Sequence, residues 1–378
     1  MITSSLLRRV LITEAEKNLF TGKALLILGP RQVGKTTLVN QILADKDPTI
    51  FERYNGDFLW DRSALQINNR AELLRRFEHI TYLIIDEGQK VPNIGNIIKV
   101  FVDEFWSKKQ VIVTGSSSLQ LLDKTSEPLT GRKHVIHLYP LTWGELRQGQ
   151  TRPDLSLLSE TLIYGLYPEV ALTEWVSKVD RLNDIVSWQL FRDILEFQDV
   201  RNPDILVKLL ELLALQVGSE ISYHSLAQRL GINQPTVERY VDLLEKSFVI
   251  FRLRPHFTNK IKEVTKMKKI YFWDVGVRNT LLRSFTPIEL RTDRGALWEN
   301  FFIAEKYKAL AYARSLSDLR FWRTKAQEEV DLLEVTDHIE HAYECKWQLQ
   351  KYRSPVAFQK TYDTPVHLVH HDNFWEYL

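Results

Sequence analysis

One segment near the start of the chain has the residue types and the spacing that phosphate binding requires. It consists of Gly29, Pro30, Arg31, Gln32, Val33, Gly34, Lys35 and Thr36, and Thr37 completes the predicted nucleotide-binding set. Two glycines allow backbone N–H groups to wrap around phosphate oxygens without a Cβ clash. The lysine then reaches the β- and γ-phosphates, and the threonine hydroxyl binds Mg²⁺. The segment therefore predicts a site for Mg²⁺-ATP, with Lys35 as a catalytic residue.

A second pattern is the apolar run at residues 82–85, which ends in Asp86 and Glu87. A buried strand that ends in two acids would place Asp86 beside the metal ion as a ligand. Glu87 would polarise the attacking water, which distinguishes a hydrolase from a protein that only binds nucleotide. A solvated strand end is the alternative interpretation of the two acids.

Two further polar positions belong to the same prediction. Residues 111–113 form an apolar run followed by small hydroxyl residues, of which Thr114 or Ser116 would order the lytic water. Arg132 follows Gly131 and precedes the last predicted strand, and it would act as an arginine finger on transition-state charge. A Gly/Ser turn and an ordinary surface arginine are the alternatives.

A separate group of charged residues lies near the end of the chain. Glu344 and Lys346 share one face of a predicted strand, because side chains alternate with period two, and Asp331 lies on the preceding strand of a predicted hairpin. Together with Glu299 on a preceding helix, these carboxylates predict a hard-metal site for Mg²⁺. Lys346 would orient water or stabilise developing charge. A solvated strand face with charge pairs is the alternative.

The elements that must position the first site follow an alternating pattern. Short apolar runs alternate with helical patterns over the first 150 residues, which is typical of a parallel α/β sheet. The predicted strands are residues 24–28, 50–54, 82–85, 111–113 and 135–138. The predicted helices are residues 36–43, 71–77 and 94–106.

The middle of the chain is predicted to be helical, with a helix-turn-helix at residues 221–237. Strands at 248–253 and 270–273 would form a wing. A recognition helix would offer Gln234, Thr236, Arg239 and Tyr240 to a major groove, although acidic residues share it. A better phosphate-binding patch is predicted from five lysines, with a solvated surface loop as the alternative: Lys260, Lys262, Lys266, Lys268 and Lys269.

The last part reverts to mixed α and β patterns. A helix at 295–310 precedes strands at 319–322, 329–335 and 342–347, then a helix at 354–362 and a strand at 365–370. This α-β-β-β-α-β order supports the interpretation of the C-terminal carboxylates as a functional site.

Composition limits the class of protein without selecting a function. Apolar residues make up 44% and charged residues 26%, as in packed soluble proteins, and the net charge is +2. Nucleic-acid binding would therefore depend on local patches. The single cysteine, Cys345, excludes a disulfide framework and a cysteine-rich zinc site. No run reaches the length of a membrane span, so we expect no membrane partner and a cytoplasmic location.

These motifs resemble the AAA-type ATPases of bacteria and archaea that carry a C-terminal domain of uncharacterised function. The resemblance is carried by the phosphate loop and by residues 84–87, 114–118, 131–132, 138–145, 164–168, 192–194 and 271–276. Gly88 departs from the pattern, since relatives usually have a bulkier apolar residue there. The resemblance implies a AAA-type sheet, a winged-helix module and a nuclease-like end. Asp331 and Glu344-x-Lys346 are similar to the core motif of the PD-(D/E)XK nuclease superfamily.

We therefore predict an α/β protein with a AAA-type P-loop parallel sheet, a helical and winged-helix module, and an α+β nuclease-like domain. The predicted boundaries are residues 1–150, 151–290 and 291–378. The predicted function is Mg²⁺-ATP hydrolysis coupled to DNA or RNA, with metal-dependent phosphodiester cleavage and a homo-oligomer as further expectations. A nucleotide-controlled switch with an inactive nuclease-like domain is the alternative. A small-molecule kinase fits less well, because Glu87 suits water activation.

Overall fold

Five short strands form a parallel sheet in the first part of the chain. The computed structural model describes residues 7–67, 69–116, 129–147, 154–174, 177–190 (188–190 as backbone only), 202–257 and 268–378. It divides into a first unit, residues 1–139 with 246–248, and a second unit, residues 140–245 with 249–378. The predicted three-domain division stays a prediction, although the strands Ile250–Pro255 and Asp318–Arg323 pair with each other across the predicted boundary at 290.

The sheet of the first unit confirms the predicted α/β class. Its strands are β1 (Ala24–Leu28), β2 (Phe51–Asn55), β3 (Tyr82–Asp86), β4 (Gln110–Gly115) and β5 (Lys133–His137). They lie in the order β2-β3-β4-β1-β5, and every neighbouring pair is parallel. Every residue of β1 and β4 is buried, as strands covered on both faces require.

Helices connect the parallel strands, since a parallel pair cannot be joined by a tight turn. α1 (Ile12–Lys17) precedes β1, and the connecting helices are α2 (Lys35–Leu43), α3 (Leu59–Ala64), α4 (Arg70–Arg76) and α5 (Ile94–Phe105). The strand order places β4 between β1 and β3. The carboxyl ends of these three strands therefore lie side by side, where open α/β sheets bind their ligands.

The second unit begins with helices and contains a larger mixed sheet. Its helices are α6 (Trp143–Leu146), α7 (Leu155–Tyr164), α8 (Pro168–Ala171), α9 (Lys178–Asp184, continuing as a π-helical turn at Ile185–Leu190), α10 (Pro203–Leu215), α11 (Tyr223–Leu230), α12 (Gln234–Lys246), α13 (Val275–Leu281), α14 (Arg294–Tyr312) and α15 (Val356–Thr361). In the described part of the chain, no helix is both long and apolar enough to cross a membrane.

Seven strands form the sheet of the second unit. They are β6 (Glu220–Ile221), β7 (Ile250–Pro255), β8 (Lys268–Phe272), β9 (Asp318–Arg323), β10 (Glu329–Val335), β11 (Ile339–Cys345) and β12 (Val366–Val369). The order is β12-β11-β10-β9-β7-β8-β6. The predicted hairpin is present as the antiparallel pair β10–β11, and Lys346 follows directly after β11.

The predicted helix-turn-helix residues form α11 and α12 with a short turn between them. Ser222 caps α11, and Gly231 ends it with a φ of 66°, a left-handed conformation that glycine adopts without strain. The antiparallel pair β7–β8 follows, and β6 pairs with the other edge of β8.

Candidate functional site

The phosphate loop lies between the carboxyl end of β1 and the start of α2. Gly34 has a φ of 91°, and a Cβ at Gly29 would come within 2.0 Å of the Leu138 carbonyl oxygen, so both glycines are sterically required. Lys35 is buried, and its Nζ donates to the Gly29 and Pro30 carbonyl oxygens at 2.9 and 2.8 Å. Thr36 and Thr37 occupy the first turn of α2, whose N-terminus favours anions.

Asp86 ends β3 and is held by a hydroxyl from β4. Thr114 Oγ1 donates to Asp86 Oδ1 at 2.9 Å, and the same hydroxyl oxygen accepts the backbone N–H of Glu87 at 3.3 Å. Burial raises the pKa of Asp86, while the Thr114 hydrogen bond and the charges of Arg53 and Lys35 oppose the rise. A cation beside this carboxylate would relieve the cost of burying its charge.

Glu87 turns out of the strand with a φ of 50° and meets a different set of polar groups. Gln89 Nε2 donates to Glu87 Oε2 at 2.6 Å and to Ser116 Oγ at 3.0 Å. Ser116 Oγ donates to the same Glu87 oxygen at 3.2 Å, and Arg31 lies 3.9 Å from it. The sequence left Thr114 and Ser116 as alternatives, whereas the structure places Thr114 against Asp86 and Ser116 against Glu87.

Arg9 is a residue of this region that the sequence did not indicate. Its guanidinium is 4% exposed and donates to the Val33 carbonyl oxygen at 2.6 Å and to that of Tyr139 at 2.9 Å. It therefore ties the segment before α1 to the phosphate loop. An arginine near the start of the chain carries no local signal for this contact, because both partners are distant backbone carbonyls.

Arg132 lies at the amino ends of the strands, whereas the phosphate loop lies at their carboxyl ends. The N–H of Ala24, the first residue of β1, donates to the Arg132 carbonyl oxygen at 2.9 Å. The Arg132 side chain is half-exposed and pairs with Asp103 on α5 at 2.5 Å. Since the loop follows the other end of β1, Arg132 does not reach the site of its own chain, and a finger role in a second copy stays a prediction.

In the second unit, the structure brings together the predicted C-terminal residues. Lys346 Nζ donates to Glu344 Oε1 at 2.6 Å, and the Cys345 backbone N–H donates to Asp331 Oδ2 at 2.8 Å. Burial and the charge of Asp331 raise the pKa of Glu344 to about 7. Burial and the charge of Glu299 raise the pKa of Asp331. The carboxylates are therefore close enough to disfavour one another's charge.

Lys269 enters this group from β8 and is buried, which corrects its prediction as part of a phosphate-binding patch and also the alternative of a solvated surface loop. Its side chain is 2% exposed, and Nζ lies 3.0 Å from Glu299 Oε1 and 3.9 Å from Asp331 Oδ1. It also pairs with Glu329. Burial alone would lower the pKa of Lys269, but the charges of the three carboxylates raise it. Tyr271, on the same face of β8, donates to Glu299 Oε1 at 2.6 Å.

The fit of a divalent ion to this group rests on two carboxylates. Asp331 and Glu344 offer the hard oxygen atoms that Mg²⁺ and Mn²⁺ prefer. Glu299 stays a predicted ligand, but its Oε1 already accepts hydrogen bonds from Lys269 and Tyr271. Among the described residues, no set of three or more His, Cys, Asp and Glu side chains has an arrangement that could hold a metal ion.

The predicted recognition surface on α12 is only partly available. Gln234 and Arg239 are exposed, but Tyr240 is 2% exposed and belongs to the core, so its prediction as a groove contact is wrong. The acidic residues that argued against groove binding are partly neutralised. Arg252 pairs with Asp242 at 2.6 Å and donates through Nε to Glu245 at 2.8 Å.

The predicted lysine patch lies mostly outside the described residues, which exclude Lys260, Lys262 and Lys266. Lys268 is partly buried at the start of β8, and burial lowers its pKa.

Comparison with known proteins finds a family model that matches most of the first unit. Residues 21–147 match the family model of the AAA domain. That match supports nucleotide-binding, ATPase-like function for the AAA domain. Residues 155–287 and 294–371 match two models that are each described as a domain of unknown function (DUF8612 and DUF4143). These matches do not extend to the PD-(D/E)XK resemblance of the C-terminal residues, which stays a prediction.

Similar proteins occur in Mycobacterium tuberculosis and Haemophilus influenzae. An uncharacterized protein of Mycobacterium tuberculosis is 27% identical over 343 residues, which cover 90% of this chain and 74% of that protein. An uncharacterized protein of Haemophilus influenzae is 25% identical over 271 residues, which cover 67% of each.

Two solved structures overlap more loosely. Domain III of the Thermotoga maritima replication initiation protein DnaA is 15% identical and covers 61% of this chain and 88% of its own, with a TM-score of 0.27. Drosophila ORC bound to AT-rich DNA and Cdc6 is 11% identical, with coverages of 72% and 89% and a TM-score of 0.27. Likenesses of this extent carry no argument about this chain.

Proposed function

We propose that the AAA domain hydrolyses Mg²⁺-ATP with Asp86 as metal ligand and Glu87 as the base that polarises water. The observation that carries the proposal is the pair of hydrogen bonds through Thr114, which joins Asp86 to the backbone of Glu87 beside the phosphate loop. A protein that only binds nucleotide has no need of a second, separately supported carboxylate next to the first.

Phosphate binding depends on the loop and on the helix that follows it. The backbone N–H groups of residues 29–34 and the N-terminus of α2 present positive partial charge to the phosphates. Lys35 exchanges its hydrogen bonds with Gly29 and Pro30 for the β- and γ-phosphate oxygens. Its resting partners lie in the loop itself, so the side chain is already directed at the ligand.

Asp86 and Glu87 have different roles in the proposed reaction. Asp86 and the Thr36 hydroxyl would hold Mg²⁺, which when bound neutralises charge on the β- and γ-phosphates. Thr114 orients the Asp86 carboxylate by donating to one of its oxygens. Glu87 accepts a proton from the attacking water, while Gln89 and Ser116 fix the position of its Oε2. The two carboxylates therefore keep separate roles although they are adjacent in sequence.

The test separates nucleotide binding from turnover. Lys35→Ala should abolish ATP binding, whereas Glu87→Gln should retain binding and lose hydrolysis by about 100-fold or more, because it removes only the proton acceptor. Lys99→Ala, at an exposed position on α5, serves as the control and should change neither property. Equal hydrolysis rates for Glu87→Gln and the parent chain would remove Glu87 from the mechanism.

A second candidate function, metal-dependent phosphodiester cleavage, concerns the second unit. It is favoured by the approach of Asp331 and Glu344 to one another, with Lys346 donating to Glu344. In this proposal the two carboxylates hold the ion, and Lys346 acts on the phosphate of a nucleic acid. The helices α11 and α12 with the β7–β8 pair would form a winged-helix module that binds DNA or RNA.

Mn²⁺ provides a direct test of this second candidate. Mn²⁺ should raise the melting temperature of the full chain carrying Lys35→Ala, while added Asp331→Ala or Glu344→Ala should remove that response. Lys346→Ala should keep the response and lose cleavage of single- or double-stranded substrates. A metal response without cleavage by the parent chain would favour the alternative, a nucleotide-controlled switch that binds partners through an inactive nuclease-like domain.

A further inference from the structure

Lys269 is the most deeply buried ammonium near the C-terminal carboxylates, and its role has no counterpart in the predicted motif. It comes from β8, whereas the predicted ligands come from α14, β10 and β11. Its side chain is 2% exposed and lies within ion-pair distance of three acids, Glu299, Glu329 and Asp331. Because this buried ammonium has three acidic neighbours, we regard it as a structural part of the carboxylate group.

The position of this ammonium is fixed from both ends of the side chain. Strand pairing holds the Lys269 backbone against Leu253 on β7 and Glu220 on β6. Nζ also lies 5.4 Å from the centre of the buried Phe321 ring, and the side chain is 2% exposed, so aromatic surface and not water lies beside the ammonium. Solvent therefore cannot replace the carboxylates as partners of Lys269.

The ammonium also lies close to oxygen atoms of two of the predicted metal ligands. Glu299 Oε1 accepts from Lys269 Nζ at 3.0 Å and from the Tyr271 hydroxyl at 2.6 Å. Asp331 Oδ1 lies 3.9 Å from the same nitrogen. A divalent ion that approached these two atoms would meet a fixed positive charge at short range, in a region where water screens poorly.

We infer that Lys269 is a resident counter-cation of the carboxylate group, which holds Glu299 and Asp331 in place without a divalent ion and competes with any ion that binds there. This inference rests on the proposed metal site of the second unit. A buried carboxylate group without a cation would be unstable, because each charge has lost its hydration. Lys269 supplies that cation from within the chain, and the fold of this region therefore does not require metal.

Replacement of Lys269 should make the region dependent on metal. The variant Lys269→Met keeps an unbranched side chain one atom shorter and removes the charge. In the full chain with Lys35→Ala and no nucleotide, it should lower the melting temperature in EDTA, and Mn²⁺ should restore it. Calorimetric titration should show Mn²⁺ binding about tenfold more tightly than in the chain that retains Lys269. In the chain that retains Lys269, Mn²⁺ should raise the melting temperature by less than it does in Lys269→Met at the same Mn²⁺ concentration.

A matched control distinguishes this metal dependence from the destabilisation that follows the loss of any buried ion pair. Lys308 is 1% exposed and pairs with Glu305 at 2.8 Å on α14. Lys308→Met should lower the melting temperature by a similar amount, and Mn²⁺ should raise it by no more than it does in the Lys35→Ala parent. The double variant Lys269→Met/Glu329→Gln keeps the net charge of the group and provides the same titration if the single variant does not fold.

The outcomes separate the inference from the proposed function. If either Lys269 variant binds Mn²⁺ more tightly, and if Asp331→Ala removes that binding, the result would support both the counter-cation and the metal site. Mn²⁺ binding that depends on Asp331 but does not change on replacement of Lys269 would overturn the counter-cation and leave the metal site standing. The absence of Mn²⁺ binding in every variant would overturn both.

Discussion

Thr114 Oγ1 donates to Asp86 Oδ1 at 2.9 Å, and one hydroxyl thereby connects two adjacent parallel strands at the proposed ATP site. Ser116, two residues further along, contacts Glu87 instead, with its Oγ 3.2 Å from Glu87 Oε2. The two hydroxyls are therefore not interchangeable, although the sequence presents them as equivalent candidates.

This division predicts different effects for the two removals. Thr114→Val should weaken Mg²⁺-ATP binding and slow hydrolysis, because Asp86 loses its donor and the Glu87 N–H loses its acceptor. Ser116→Ala should leave binding nearly unchanged and slow hydrolysis by about tenfold, since it affects only the orientation of Glu87. Nucleotide titration and steady-state rates of both variants provide the measurement. Identical profiles for the two would contradict the assignment.

A second prediction concerns Arg132, which pairs with Asp103 and lies at the amino ends of the strands, away from the phosphate loop. If it acts in a neighbouring copy, a mixture of Arg132→Ala and Lys35→Ala chains should recover part of the ATPase activity. The control mixture of Glu87→Gln with Lys35→Ala should recover none, because every site then contains a defect of its own. No recovery at any ratio, with a monomer by light scattering in ATP, would exclude the finger.

The third prediction concerns nucleic-acid binding. Replacement of Lys260, Lys262 and Lys266 by alanine should weaken binding to all DNA or RNA sequences alike, because phosphate contacts carry no base information. The dependence of the affinity on salt should become shallower by about 0.9 for each lost phosphate contact. Filter binding over a series of salt concentrations tests this. A sequence preference that survives the change would move the binding site to Gln234 and Arg239 on α12.

The fourth prediction follows from the acid at the start of α14. Burial alone raises the pKa of Asp293, but hydrogen bonds from Arg291 and Arg278 outweigh it and lower the pKa from 3.8 to about 2. Because the folded value lies below the unfolded one, Asp293 stabilises the fold above pH 4, and that contribution is lost as the pH falls towards 2. Arg291 Nε donates to Asp293 Oδ1 at 2.9 Å, which accounts for part of the shift.

Asp293→Asn should therefore lower the free energy of unfolding by about 1 kcal/mol at pH 7, a figure reduced for the partial exposure of the carboxylate. The difference from the parent chain should shrink below pH 4. Urea unfolding at several pH values measures it, with the exposed turn residue Asp337→Asn as a control that should show no such trend. A difference that stays constant with pH would contradict the ion-pair explanation.

Local pattern was sufficient for the elements that carry the ATP site. The predicted strand at residues 24–28 coincides with β1, and the acids were expected at the end of the strand that became β3. Such agreement follows from the physics of parallel strands, since burial on both faces leaves a continuous apolar run in the sequence. The spacing of Gly29, Gly34 and Lys35 is likewise a local requirement of the loop.

The environment of individual side chains depended on partners far away in sequence. In the sequence, Lys269 is one lysine among several in a basic segment, and Tyr240 is predicted to be a helix residue open to solvent. Lys269 is buried because α14 and β10 bring acids to it, and Tyr240 is buried on the inner face of its helix. The sequence alone determined the order of the elements and the residues of the phosphate loop, because these depend on neighbours a few positions away. Only the tertiary structure decided which charges meet, since an ion pair depends on the distance between side chains and not on their separation along the chain.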